Sequence, residues 1–434
     1  MKLKRGIPVN GFIDMLGEKL LPIAGKLGEN RYLKVLRDAF MLAFPITMFG
    51  SIVVVLNNLP FFSDATKGTL GNLFGNGQNA TMSIMTIFVT FGIGYYLSKS
   101  YDVEGIFGGA VSLASYLILT PFSMLTESGE AVPGVLALDR LGAKGMFIGM
   151  IAAFIAAEIY TRVVKKGIVI KMPDGVPPAV ANSFAALLPA IITLTTFLLL
   201  NAAVIGFFET NLHDVVYTAI QQPLTALGSG LPATLIAVFF VQFLWFFGLH
   251  GQIIVNSVMD PIWNTLALEN LDAYKAGDAL PHIVTKPFME IYTVGMGGSG
   301  STLIVVLLLA FIMKSKQNKE IGRLALGPAI FNVNEPLIFG MPLVLNASIF
   351  IPWILAPLVT TAFNYAMMST GIFPIPTGVT VPWTIPVVIN GIMATSSVMG
   401  GVLQVIDMAL IGVIWFPFLK LVDKVNLNTV SMAD

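Results

Sequence analysis

Residues 324–345 read LALGPAIFNVNEPLIFGMPLVL, an apolar stretch whose centre carries Asn332, Asn334, Glu335 and Pro336. The stretch is long enough to reach across a bilayer, yet it has a carboxylate and two amides in the middle. A carboxylate at membrane depth costs roughly 2.5 to 3.5 kcal/mol on insertion scales, so such a residue normally faces a polar cavity rather than lipid. The sequence therefore predicts that Glu335 belongs to a functional site.

The composition indicates an integral membrane protein. Of 434 residues, 56% are hydrophobic and 11% are charged, and the mean hydropathy is +0.82, whereas soluble domains carry roughly 25% charged residues. The formal net charge is zero, so the chain lacks the basic footprint of a nucleic-acid-binding protein. It has no cysteine and only three histidines, His213, His250 and His282, which argues against a metal centre, and no cofactor is expected.

Ten apolar segments of about twenty residues predict an all-α polytopic protein with ten transmembrane helices in two halves of five. The predicted crossings are residues 33–56, 80–97, 105–125, 145–164 and 180–208 in the first half, and residues 232–249, 252–268, 291–313, 346–369 and 400–421 in the second. Residues 209–230 contain no basic residue and are predicted to connect the halves 31–208 and 231–425.

The first 30 residues predict an amphipathic helix that lies in the membrane interface. Phe12, Leu16, Leu20 and Ile23 recur at helical spacing among charged residues, which is typical of such helices. Pro8 and several charges interrupt the apolar run, so a cleaved signal peptide is not expected. Residues 426–434 are predicted to form a carboxy-terminal tail.

Two apolar stretches, near residues 325–345 and 372–395, cannot be regular crossing helices. The second contains Pro374, Pro376, Pro382 and Pro386, and proline at this density frees backbone groups that hydrocarbon cannot satisfy. Both stretches are predicted to be re-entrant hairpins. Discontinuous segments of this kind mark the binding site of a transporter, so the second half is expected to hold the substrate.

The positions of the basic residues predict that both termini are cytoplasmic. In the ten-crossing arrangement most of the 24 lysines and arginines fall on the side of the amino terminus, as the positive-inside rule requires. The exceptions are Lys67, Arg140, Lys144, Lys275 and Lys286. The hairpin with Glu335 follows the basic segment 314–323, and it is therefore predicted to enter from the cytoplasmic side.

His250 lies between Gly248 and Gly251 at the end of an apolar segment. It either snorkels to the headgroups or binds a ligand, because glycines allow close approach and imidazole both donates and accepts hydrogen bonds. Trp245 shares a pocket with His250 only if the helix distorts near Gly248, since five residues correspond to about 140° around an ideal helix. Otherwise Trp245 is an interfacial anchor.

The remaining candidates each have a structural alternative. Glu335 either binds a ligand or pins its hairpin, and Asn334 either shares a ligand hydroxyl or belongs to the hairpin scaffold. Trp383 has a flat face suited to stacking on a sugar ring, or it packs locally. Thr285, in the segment Thr285–Phe288, either folds back over a site or lies in a solvated loop.

A match to G-x-G-x-x-G at Gly295, Gly297 and Gly300 lacks the strand that a dinucleotide site requires. These glycines fall inside the predicted crossing 291–313, and they are expected to serve close helix packing.

The segments Asn334-Glu335-Pro336, Gly248-Leu249-His250-Gly251 and Thr285-Lys286-Pro287-Phe288 resemble the lactose/cellobiose/diacetylchitobiose family of enzyme IIC components of the bacterial sugar phosphotransferase system. The resemblance covers essentially the whole chain. It implies a permease in the bacterial cytoplasmic membrane and a homodimer held by the first five helices. It also implies a disaccharide bound by His250 and Glu335 with Asn334 beside them, and less directly by Trp245, Trp383 and Thr285.

In that family a separate IIB protein, phosphorylated on a cysteine, transfers its phosphoryl group to the bound sugar at the cytoplasmic face. The absence of cysteine in this chain agrees with such a division. Glu335 or His250 would then accept the proton of the sugar hydroxyl, and the expected sugar is cellobiose or diacetylchitobiose. The alternative is a proton-coupled sugar symporter, because a histidine and a glutamate at membrane depth could form a proton relay.

Overall fold

The computed structural model describes residues 22, 25–27, 29–57, 62–125, 130–208, 210–341, 343–344 and 346–431. The amphipathic helix predicted at residues 1–30 lies largely outside these residues. Apart from one small hairpin, the regular structure of the described chain is helical, which agrees with the predicted all-α fold class.

In the described part of the chain, the first half is a bundle of six helices of 15 to 31 residues and one short helix. They are α1 (Arg31–Asn57), α2 (Asp64–Asn79), α3 (Met85–Ser100), α4 (Gly105–Leu119), α5 (Leu138–Leu141), α6 (Met146–Lys165) and α7 (Pro178–Phe208), with 3₁₀ turns at Met82–Ile84 and Ala143–Gly145. Strands β1 (Ser123–Leu125) and β2 (Ala131–Pro133) pair antiparallel, with Met124 opposite Val132.

The second half alternates long helices with short broken ones. They are α8 (Leu212–Val216), a π turn (Tyr217–Gln221), α9 (Gln222–Gly228), α10 (Leu231–Phe246), α11 (Gly251–Ala276), α12 (Lys286–Ile291), α13 (Leu303–Phe311), α14 (Lys316–Ile330), α15 (Glu335–Gly340), α16 (Ala347–Ser369), α17 (Ile389–Thr395) and α18 (Val398–Ser431).

The helices pack mainly within the half to which they were assigned. In the first half α3 contacts α1, α4 and α6, and in the second half α18 contacts α13, α16 and α17. Helix α11 links the halves, because it contacts both α1 and α6. Most buried apolar side chains of both halves form one continuous core, and Val111, Tyr160 and Ala186 form a second, small cluster.

Six helices in the described part of the chain are long and apolar enough to cross a membrane. They are Arg31–Val54, Gly68–Ser100, Ala143–Lys165, Pro178–Phe207, Ser348–Ser369 and Val398–Leu427. A seventh span results if Leu212–Gly228 and Leu231–Phe246, which meet at 70°, count as one. By length and composition, this part of the chain therefore falls short of the ten predicted crossings.

The predicted crossing at residues 291–313 is wrong as a continuous helix. Helix α12 ends at Ile291, and α13 begins only at Leu303. The turn between them contains Gly297, Gly298 and Gly300 with φ of +82°, +94° and +89°, a conformation that glycine adopts without a steric penalty. The apolar pattern was continuous, but the backbone conformation of the glycines breaks the helix.

Three predicted boundaries also differ from the structure. Residues 105–125 were one predicted crossing, but α4 ends at Leu119 and β1 follows. The predicted connector 209–230 contains two helices and a π turn rather than a simple link. The predicted tail at 426–434 continues α18 as far as Ser431.

Both predicted hairpin regions are interrupted as expected. Helices α14 and α15 contact each other across a turn at Phe331–Asn334, and residues 372–388 have no regular helix before α17 begins. Their re-entry into a membrane stays a prediction.

Two long-range hydrogen bonds each join residues that the distribution of basic residues predicts to lie on the same side of the membrane. Lys275 Nζ donates to Ser83 Oγ at 2.7 Å, and both residues lie on the predicted outer side. Tyr32 donates to Glu158 at 2.9 Å, and both belong to the predicted inner side. This agreement supports the order of the crossings, and the orientation of the termini stays a prediction.

Candidate functional site

The segment with His250 is a break between two helices. Helix α10 ends at Phe246, and Gly248 has φ of +80°, so the chain turns sharply there. His250 then caps α11, and its Nδ1 accepts a hydrogen bond from the Ile253 N–H at 3.3 Å. Because Nδ1 is the acceptor, the proton of the neutral ring sits on Nε2. The exposed ring therefore offers an N–H donor to a ligand.

Trp245 packs against His250. The ring centroids are 4.4 Å apart with an interplanar angle of 46°. The sequence predicted this contact only if the helix distorts near Gly248, and the structure confirms that condition. Trp245 is buried, with 7% of its surface exposed, and its Nε1 has no hydrogen-bond partner in the described structure. It is thus a support beneath His250 rather than an interfacial anchor.

Glu335 is the first residue of α15 and is exposed. Within the described residues its carboxylate forms no hydrogen bond or ion pair, so it does not pin the hairpin. The charge of this carboxylate acts on the His250 ring, although 85 positions separate the two residues along the chain. The turn therefore presents this carboxylate on the outside of the described fold.

Asn332 holds the hairpin turn in place. Its φ is +61°, a left-handed conformation that asparagine tolerates better than most residues. Its Oδ1 accepts from the Gly297 N–H at 2.8 Å, and its Nδ2 donates to the carbonyls of Trp383 at 2.6 Å and Ile385 at 2.8 Å. One amide therefore joins both interrupted segments to the glycine-rich turn.

Asn334 also belongs to this scaffold. It is 3% exposed, and its Nδ2 donates to the Ser299 carbonyl at 2.5 Å and to Thr302 Oγ1 at 3.0 Å. Both amide protons are therefore used inside the protein. Of the two interpretations of Asn334, the structure favours the scaffold, which places Glu335 at the surface directly after a fixed residue.

Trp383 has the opposite environment. Half of its surface is exposed, and its backbone carbonyl is held by Asn332. Its ring is therefore accessible close to the turn that carries Glu335. This exposure fits a stacking face better than it fits local packing.

Thr285 is not available to a ligand. It is fully buried, and its hydroxyl caps α12 by accepting from the Phe288 N–H at 3.4 Å. The prediction that it folds over a site from a loop does not agree with this placement. The polar residue is needed at that position because the first N–H groups of a helix have no partner within the helix.

A charged cluster next to Thr285 was missed by the sequence reasoning. Lys286 Nζ lies 2.5 Å from Asp260 Oδ1 and 3.0 Å from Glu290 Oε1, and these side chains are 13–22% exposed. The sequence contains one sign of this cluster, because Asp260 is a charged residue inside the predicted crossing 252–268. The pairing with Lys286 was not detectable, because it depends on how α11 and α12 pack.

Two polar residues of the last helix, α18, take part in packing between helices. Gln404 and Asp407 are fully buried. Gln404 accepts from the Val388 N–H at 2.7 Å, and Asp407 accepts from Asn364 at 2.9 Å. Within the part of the chain that the structure describes, no group of three or more histidine or acidic side chains could hold a metal ion.

Comparisons with known proteins agree with this architecture. The family model "Phosphotransferase system, EIIC" matches residues 37–357. The oligo-beta-mannoside-specific EIIC component of Bacillus subtilis (strain 168) is 63% identical over 418 residues, which cover 95% of each chain. The cellobiose-specific EIIC component of Geobacillus stearothermophilus is 38% identical over 429 residues, which cover 95% of this chain and 94% of the relative.

A solved structure supports the same assignment. The transporter ChbC, the IIC component of the N,N'-diacetylchitobiose-specific phosphotransferase system, superposes with a TM-score of 0.90 at 37% identity. The match covers 96% of this chain and 99% of that one. The chain therefore belongs to the EIIC family of the phosphotransferase system, which consists of multi-pass sugar permeases of the bacterial cytoplasmic membrane.

Proposed function

We propose that this protein transports a β-linked disaccharide, with a β-mannoside as the first candidate and cellobiose as the second. The relative with 63% identity is named for oligo-β-mannosides, and a more distant one at 38% is named for cellobiose. This changes the sugar preference drawn from the sequence, in which cellobiose and diacetylchitobiose came first. The reported relatives give no support to the alternative of a proton-coupled symporter.

The observation that carries the proposal is that His250 and Glu335 lie within range of each other's electrostatic influence. The two residues come from separate interrupted segments, and both are exposed. A neutral imidazole N–H and a carboxylate are a donor and an acceptor, the pair that a sugar hydroxyl requires. Hydrogen bonds to a charged group contribute about 1.5–3 kcal/mol each, so Glu335 is the stronger of the two contacts.

The surrounding residues have separate roles in this proposal. Trp383 stacks on a face of the sugar, and Trp245 fixes the orientation of the His250 ring from below. Asn332 and Asn334 position Glu335. Their amide protons form hydrogen bonds within the protein and do not bind the sugar. Thr285 contributes only as a helix cap.

The proposed phosphorylation step needs a second protein, because this chain contains no cysteine. The sugar hydroxyl oxygen attacks the phosphorus of the phosphocysteine of a IIB protein, and the sulfur–phosphorus bond breaks. The hydroxyl proton passes to Glu335, because His250 Nδ1 already accepts from the Ile253 N–H and the neutral ring carries its proton on Nε2. The chain therefore supplies orientation and a proton acceptor, which are the main contributions that a protein makes to phosphoryl transfer.

The domain organisation completes the proposal. Residues 31–208 form the scaffold and the homodimer contact, and residues 231–425 carry the sugar, with both termini in the cytoplasm. Helix α7 leaves apolar side chains exposed, Leu199 at 65% and Phe207 at 81%, and this surface is available to a partner subunit or to lipid.

Transport in vesicles tests the proposed function. Proteoliposomes that contain the purified chain are expected to show sugar counterflow without a proton gradient. Net accumulation of sugar phosphate is expected only with phosphorylated IIB inside. Accumulation of unmodified sugar driven by a proton gradient alone would contradict the proposal. Calorimetry with mannobiose, cellobiose, diacetylchitobiose and lactose then ranks the sugars, and weaker binding of mannobiose than of diacetylchitobiose would contradict the preference for β-mannosides.

A further inference from the structure

A basic surface at the base of the Glu335 hairpin is not used by the proposed sugar site. It consists of Lys314, Lys316, Lys319 and Arg323 at the start of α14, and Lys420 and Lys424 near the end of α18. We call it the basic rim. These residues lie on the side that the charge bias assigns to the cytoplasm.

The two segments of the basic rim are joined by a buried carboxylate. Asp423 is 3% exposed. It accepts hydrogen bonds from the N–H groups of Lys314 at 2.8 Å and Ser315 at 2.9 Å, and from Asn318 Nδ2 at 3.0 Å. Asn426 Nδ2 donates to Asn318 Oδ1 at 3.1 Å. These contacts bring basic residues that are about 100 positions apart onto one surface.

The charge of the basic rim is only partly neutralised. Asp423 is buried and fully engaged, so Glu320 is the acidic side chain that remains exposed within it. Glu320 lies 3.9 Å from Lys316, whose side chain is 90% exposed. An exposed pair at this distance contributes little. Lys316 and Arg323 therefore remain accessible to an anionic partner.

The basic rim is continuous with the sugar site through one helix. Helix α14 has 15 residues and therefore rises about 22 Å from Lys316 to the turn that precedes Glu335. Leu324 and Phe331 are 72% and 55% exposed along this hairpin. A protein bound at the start of α14 therefore lies about one helix length from Glu335, a distance that a protruding loop of that protein can bridge.

We propose that the basic rim is the docking surface for the phosphorylated IIB protein. The inference rests on the proposed function, because that function requires a phosphoryl donor near Glu335. The donor brings a doubly charged phosphoryl group, and a cluster of lysine and arginine attracts such a partner and increases its association rate. The residues of the rim bind the donor protein, and none of them contacts the reacting phosphoryl group.

The test uses the full-length chain in nanodiscs of neutral phosphatidylcholine, with a phosphorylated IIB protein of the oligo-β-mannoside type as the probe. The double variant Lys316→Glu/Arg323→Glu is expected to raise the KM for phospho-IIB at least about tenfold at low ionic strength, while kcat stays within about twofold. High salt is expected to remove most of this difference. Sugar counterflow without IIB is expected to stay unchanged.

The matched control is Lys166→Glu/Lys171→Glu, which reverses two exposed charges on the predicted inner side of the first half. It is expected to leave the KM unchanged. An unchanged KM in the rim variant, or equal increases in both variants, would overturn the docking surface. An increase seen only in nanodiscs that contain phosphatidylglycerol would also overturn it, because the rim would then bind lipid. Loss of counterflow in the unsubstituted chain would instead refute the proposed transport function.

Discussion

At the scale of single residues, Glu335 combines an exposed side chain with a backbone that follows a fixed residue. The residue before it, Asn334, is buried and uses both amide protons inside the protein, whereas the Glu335 carboxylate has no partner in the described structure. Because the backbone next to Glu335 is already ordered by Asn334, less conformational entropy is lost when the carboxylate binds a ligand.

Glu335→Gln is expected to weaken sugar binding about 10- to 100-fold. The change keeps the size of the side chain but removes its charge, and a hydrogen bond to a charged group contributes about 1.5–3 kcal/mol. Isothermal calorimetry on the detergent-solubilised protein measures the affinity. Glu320→Gln is the matched control, because it changes an exposed glutamate in the same hairpin. Equal affinities of the Glu335 variant and the unsubstituted chain would remove Glu335 from the site.

At the scale of elements, the glycine-rich turn between α12 and α13 determines where the hairpin can sit. Gly298 packs so closely that a Cβ atom there would lie 2.5 Å from Asn334 Cγ, and one on Gly300 would lie 2.4 Å from the Trp353 ring. The glycines were predicted to allow close packing within a helix. The close approach is present, but it occurs in a turn with positive φ rather than in a crossing helix.

Gly297→Ala is expected to destabilise the protein strongly. Its φ is +82°, and a Cβ atom would lie 2.2 Å from the backbone nitrogen of Leu303, which cannot move independently of α13. Gly277→Ala is the matched control, because its φ is +77° but no atom lies within 4 Å of the added Cβ. The control is expected to lose only about 1–2 kcal/mol, the cost of the left-handed conformation itself.

Thermal unfolding followed by size-exclusion chromatography compares the two glycine variants. Similar melting temperatures for Gly297→Ala and Gly277→Ala would show that the turn relaxes, and they would contradict the rigid placement of the hairpin.

At the scale of the whole molecule, the second interrupted segment touches the opposite half. The Thr380 N–H donates to Ser51 Oγ at 2.7 Å, and Ser51 is a buried residue of α1. Lys275 and Ser83 form a second polar contact between the halves. Transporters move one rigid part against another around a bound substrate, so contacts of this kind must break when the halves move.

Ser51→Ala is expected to loosen the contact between the halves. It removes the acceptor for the Thr380 N–H, and an unsatisfied buried donor costs about 1–3 kcal/mol. Hydrogen exchange measured by mass spectrometry is expected to become faster in peptides that cover residues 377–381. Ser183→Ala is the matched control, because both hydroxyls donate at 2.9 Å to the carbonyl four residues earlier in their own helix, and Ser183 lies on the exposed face of α7. Unchanged exchange in the Ser51 variant would show that this contact does not hold the halves together.

The sequence by itself determined the protein class and the two interrupted segments, and it indicated His250 and Glu335 as candidate site residues. Those inferences depend on hydrophobic patterns and charge positions, and partition into a membrane acts on each segment of about twenty residues separately. Local sequence is therefore sufficient for them.

Only the tertiary structure decided how these residues are used. It placed Glu335 at the surface near His250, assigned Asn332 and Asn334 to the scaffold, buried Thr285 as a helix cap and paired Lys286 with Asp260. It also broke the predicted crossing at residues 291–313. The physical reason is that contacts between residues far apart in the chain depend on how helices rotate and pack, which the spacing of apolar residues does not specify.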